Sequence, residues 1–95
     1  MISRQIDSRL IGHTIKQLRL SRHWTQEYLA DIVGYSVRNI RRMENDGVTS
    51  IDIVNTFAEI FKVSAIDILS GDVFSFIYLY ITKKALSTFV IQYLL

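Results

Sequence analysis

Cysteine is absent from this chain of 95 residues, which removes disulfides, thiolate zinc ligands and thiol nucleophiles together and suits a reducing cytoplasm. An excess of one charge is also lacking, because eleven Lys and Arg stand against nine Asp and Glu for a formal net charge of +2. That balance excludes a protein that holds nucleic acid by bulk charge, so an anionic partner would have to meet a local cluster. Long apolar runs are missing at the amino end, where Arg4, Asp7, Arg9 and Lys16 interrupt the stretch a secretory signal would need. Near the carboxyl end, Lys83 and Lys84 split residues 73–95 into apolar runs of about ten residues, roughly half a membrane span. A membrane role is therefore not expected. There is no internal repeat and no low-complexity run, and the length suits one small domain with a short appendage.

The first 72 residues are patterned for helices. Asp7 or Ser8 can cap a first helix over about 9–22, in which Ile11, Ile15 and Leu18 recur at i, i+4 and i+7. Thr25 offers the next N-cap, followed by Gln26 and Glu27 in a first turn and by Leu29, Ile32 and Val33 as an apolar stripe. Gly34 ends that helix and can take a positive φ, as a tight turn between two steeply crossing helices requires. Ser36 then caps a third helix that buries Ile40 and Met43 and is expected to leave Val37, Arg38, Asn39, Arg41 and Arg42 outside. Asn45, Asp46 and Gly47 break the pattern, and Ser50 caps a fourth helix, about 51–61, with Val54, Phe57, Ala58 and Phe61 on one face. Ser64 caps a last short turn through Ile68 and Leu69 before Ser70, Gly71 and Asp72.

Residues 73–95 read differently. From Val73 to Ile81 apolar residues fill both alternating sets, which suggests a strand covered on both sides. After Thr82, Leu86, Phe89, Val90, Tyr93 and Leu94 form an amphipathic helical stripe. The expected division is a helical domain over 1–72 and an apolar strand-plus-helix appendage over 73–95.

Within TQEYLADIVGYSVRNIRRMEND, counted from Gln26, the small Ala30 falls where the two helices cross most closely and Gly34 where they turn. Leu29, Val33, Tyr35, Ile40 and Met43 fall where the pair must share a core. This segment resembles the phage repressor and Cro family, also called the Xre family, over about residues 9–70. IGHTIKQLR before the motif, the Thr25–Gln26 pair, Glu44 and VSAIDILSG after the fourth helix support the likeness. Lys62 stands where the family often has a helix-ending glycine, Thr49 where proline is frequent and Trp24 where an aliphatic residue is usual.

The resemblance implies a mainly α, five-helix, lambda-repressor-like helix-turn-helix domain that binds double-stranded DNA. It implies that Val37, Arg38 and Arg42 face base edges, while Gln26, Ser36, Asn39, Arg41 and Asn45 approach the sugar-phosphate backbone. Arginine can bind guanine O6 and N7 in a bidentate way, and valine can pack on a thymine methyl. It also implies that Arg19 and Glu44 form a partly buried scaffold salt bridge. A plain solvated helix face is the competing account of the arginines. Against it, Arg38 sits in a first turn, where the helix dipole disfavours a cation by about 0.3–1 kcal/mol.

No metal or catalytic site is expected. His13 and His23 have neither HExxH-like spacing nor a cysteine partner, and no nucleophile elbow or phosphate loop is visible. No cofactor is implied and the chain reads as a non-enzyme. Such domains usually act as two-fold dimers, so the expected function is a cytoplasmic transcription regulator, a repressor by default, held as a homodimer by residues 73–95. Two alternatives stay open for that appendage: extra core on its own domain, or a docking surface for a protein partner in an interaction module or antitoxin-like protein.

Overall fold

The computed structural model describes residues 7–71, which form five helices: α1 Ser8–Ser21, α2 Gln26–Val33, α3 Val37–Asp46, α4 Ile51–Phe61 and α5 Ala65–Ser70. The strand and helix expected over 73–95 lie outside the described residues.

Each helix begins at a side-chain cap that the sequence offers, and of the two candidates for α1 it is Asp7 that serves while Ser8 is the first helical residue. Asp7, Thr25, Ser36, Ser50 and Ser64 each accept a backbone N–H three residues on, satisfying one of the donors that a helix start leaves unpaired. At α5 the cap is reciprocal, since the Asp67 carboxylate also accepts from the Ser64 N–H at 3.1 Å. Helix ends use left-handed backbone at Gly34, Gly71 and Lys62, the last with φ 56° and ψ 45°. Lys62 thus adopts the conformation that a glycine would take more cheaply.

The core gathers one stripe from each helix: Ile11, Ile15 and Leu18 of α1, Leu29 and Ala30 of α2, Ile40 and Met43 of α3, Val54, Phe57, Ala58 and Phe61 of α4, and Ile68 of α5. Val48, in the loop before α4, joins them. Phe57 and Phe61 stack at 6.2 Å between ring centroids, and Trp24 continues the stack onto Phe61 at 5.6 Å. The Arg22 guanidinium lies 5.4 Å from both the Trp24 and the Phe61 ring centroids and donates to the Phe61 carbonyl. The larger residue at position 24 is therefore accommodated by a layer of three aromatic rings covered by a cation.

Helices α1 and α3 meet closely because Gly12 has no side chain: a Cβ there would lie 2.1 Å from the Met43 carbonyl oxygen. Gly34 answers a different need. Its φ of 81° is left-handed, while a Cβ would find nothing within 4 Å, so conformation alone calls for glycine there.

Candidate nucleic-acid interface

The turn between α2 and α3 presents one helix outward. The N–H groups of Gly34 and Tyr35 both donate to the Ala30 carbonyl, at 2.9 and 3.1 Å, which closes the end of α2 and turns the chain. Ser36 then starts α3, its hydroxyl accepting from the Asn39 N–H at 3.0 Å.

On α3 the residues divide by helical spacing. Ile40, Met43 and Glu44 point inward and are buried. Arg38, Arg41, Arg42 and Asn45 recur at i, i+3, i+4 and i+7 and are all exposed, as are Ser36 and Asn39. Val37 differs from the expectation that it lies wholly outside. It is half-buried and packs against the core, because it shares the i, i+3, i+7 row with Ile40 and Glu44. Only part of its side chain is available to a partner.

Behind this face sits a polar network. Glu44 is 6% exposed and Arg19 7%. Arg19 Nε donates to Glu44 Oε2 at 2.7 Å and Nη2 to Oε1 at 3.0 Å, a bidentate pair, while Nη1 donates to the Trp24 carbonyl at 2.8 Å. The same Glu44 Oε1 accepts from Gln26 Nε2 at 3.0 Å. Because an ionised carboxylate only accepts, the Gln26 amide must turn its NH2 inward and its oxygen outward. That oxygen accepts from Arg41 Nε at 3.3 Å, and Arg41 Nη2 lies 3.7 Å from Glu27 Oε1. The structure thus brings together Arg19, Glu44, Gln26 and Arg41, four of the residues singled out in the sequence. Arg38 and Arg42 have no hydrogen-bond or ion-pair partner among the described residues.

Two contacts give no signal in the sequence, one on this surface and one in the scaffold. Glu27 appeared as an ordinary first-turn acid, and its place beside Arg41 depends on how α3 crosses α2. Arg22 was read as the end of a helix, while its contacts with Trp24 and Phe61 join the loop after α1 to the end of α4.

The charges on α3 run against its dipole. No acid lies in its first turn and no base in its last, where Asp46 ends the helix, while Arg38 sits near the positive end. Local helix stability therefore does not explain this charge order, and the unsatisfied N–H groups at the start of α3 add to the field of the arginines. An anion such as a phosphate or a base-edge acceptor is the complement of such a face. Among the described residues no group of three His, Cys, Asp or Glu could hold a metal ion. No helix among them is long and apolar enough to cross a membrane.

A family model described as helix-turn-helix matches residues 15–68, from the middle of α1 into α5. Among curated proteins, nothing matches the chain.

Proposed function

This chain belongs to the Xre-type helix-turn-helix family, a family of DNA-binding transcription regulators and not of enzymes, and on that premise we propose that it is a sequence-specific repressor working as a homodimer on a palindromic operator. The observation that carries this reading is the outer face of α3, where Arg38, Arg41, Arg42 and Asn45 form one exposed row with Arg38 at the positive end of the helix dipole. Arg38 and Arg42 read base edges, with Arg42 the guanine reader, and the accessible part of Val37 packs on a thymine methyl. Ser36, Asn39, Arg41 and Asn45 contact the sugar-phosphate backbone and set the register. Gln26 joins them through its second amide proton and its N–H at the start of α2. Arg19, Glu44, Ala30 and Gly34 serve as scaffold for this surface.

Residues 1–72 form the DNA-binding unit and residues 73–95 the dimerisation segment, acting in the cytoplasm. Two copies are needed because one such helix covers a single half-site, and two half-sites lie about 34 Å apart on one face of the duplex. Repression by occluding polymerase is the mode proposed here, since a dimer seated on its operator blocks access to the duplex it covers. The second reading, a protein-interaction module using the appendage, is favoured by the formal net charge of only +2.

Selection from a pool of random duplexes, run beside sedimentation of the full chain and of a chain ending at Gly71, tests the proposal. A full-length dimer should select one palindromic sequence, and the shortened chain should be monomeric. Arg42→Ala should remove about 1–3 kcal/mol of discrimination at one base pair per half-site without unfolding the protein. Equal affinity for selected and scrambled duplexes would sink the repressor reading, and steady binding across salt would favour the interaction module.

A further inference from the structure

Among the arginines on the outer face of α3, Arg41 differs from Arg38 and Arg42 in being held. Its Nε donates to Gln26 Oε1 at 3.3 Å and its Nη2 lies 3.7 Å from Glu27 Oε1, so both restraints come from the first turn of α2. The Gln26 oxygen is turned toward Arg41 by the buried Glu44 carboxylate. Glu27 is therefore the only carboxylate within ion-pair distance of a cation on the outer face of α3 among the described residues. Both side chains are well exposed, 59% for Arg41 and 65% for Glu27. An exposed pair of this kind contributes little to stability and is easily exchanged for another anion.

Resting on the DNA-contact reading above, we infer that Glu27 is an affinity-setting residue, a built-in competitor that holds Arg41 and weakens sequence-independent binding to the duplex backbone. The reasoning is electrostatic. Non-specific affinity grows with each phosphate that a Lys or Arg neutralises, and each such contact releases condensed counterions. An arginine already paired with a carboxylate brings less charge to the phosphate, because it must give up one anion to take the other. Because a backbone contact is made on every sequence, such a competitor lowers overall affinity and lets a regulator leave wrong sites sooner, while the preference among sequences stays with the base-reading residues. A helix-stabilising role for Glu27 at the start of α2 would follow from the dipole alone, but it would leave the salt dependence of binding unchanged.

The experiment needs no knowledge of the operator. Binding of the full chain to a fluorescent random-sequence duplex of about 20 base pairs, roughly two helical turns, is followed by anisotropy across a salt series. Wild type, Glu27→Gln, Arg41→Gln and the double variant are compared. Glu27→Gln should bind about 2–5 times tighter at low salt, the range open to an exposed ion pair. Its log–log salt slope should steepen by up to about one, the worth of one phosphate contact. In the Arg41→Gln background the same change should bring no gain in affinity or slope. Unchanged affinity and slope in Glu27→Gln would overturn the inference, and so would an equal gain with and without Arg41, which would mean general repulsion. Absence of salt-dependent duplex binding by the wild type would be a different failure, since it removes the DNA-contact reading and Glu27's role with it.

Discussion

Arg19–Glu44 and Arg41–Glu27 are the same pair of residue types in opposite surroundings. The first has side chains 8% and 1% exposed and closes at 2.7 Å, whereas the second has side chains 59% and 65% exposed and stands at 3.7 Å. Gln26 links them, donating to Glu44 and accepting from Arg41. Burial decides what each pair does. Inside, the ions have lost water, so each depends on the other and on the remaining hydrogen bonds from Gln26 and to the Trp24 carbonyl. Outside, water replaces either partner at little cost, which leaves the arginine free to exchange its carboxylate for another anion. One pair fixes where α3 sits; the other sets how strongly its surface presents charge.

The largest expected effect comes from breaking the inner pair. Glu44→Ala should cost about 3–5 kcal/mol in urea unfolding, because it strands the buried Arg19 charge, and it also deprives Gln26 of its acceptor. The paired replacement Arg19→Met with Glu44→Leu should recover much of that loss. If the double variant is less stable than either single one, packing and not charge burial is what the pair supplies.

Next in size is the contact that makes the inner pair inner. Gly12→Ala sets a methyl 2.1 Å from the Met43 carbonyl oxygen and 3.1 Å from Gly47 Cα, both backbone atoms. Forced separation of α1 from α3 should cost about 1–3 kcal/mol in thermal unfolding and open the Arg19–Glu44 contact to solvent. A neutral outcome would show that the two helices do not need this approach.

The smallest effect sharpens the contrast. Arg41→Ala should change stability by less than about 0.5 kcal/mol while weakening duplex binding similarly for all sequences. A loss of stability as large as that of Glu44→Ala would erase the distinction between the two pairs.

Much of this was legible in the sequence because it depends on near neighbours in the chain. The five caps, the apolar stripes and the left-handed Gly34 are local matters, and α4 lies within the residues expected for it. The face of α3 was legible for the same reason, with one exception. Val37 belongs to both the outer surface and the core row, and which side wins depends on how the rest of the core closes against it. Gly12 gave no signal, since a glycine inside an otherwise helical pattern reads as a mild weakness until the opposing helix is known. Lys62 did give one, as the residue standing where a glycine was expected, and its backbone takes the left-handed conformation despite the Cβ.

Sequence alone thus determined the helices, their inward rows and the row of arginines, because helical period and capping act over three or four residues. The tertiary structure decided which charges are paired. Glu44 is joined to Arg19 across 25 positions of chain and to Gln26 across 18, and Arg41 to Gln26 across 15. Such distances are closed only by the crossing of α1, α2 and α3, and the water excluded at that crossing separates a structural ion pair from one that another anion can replace.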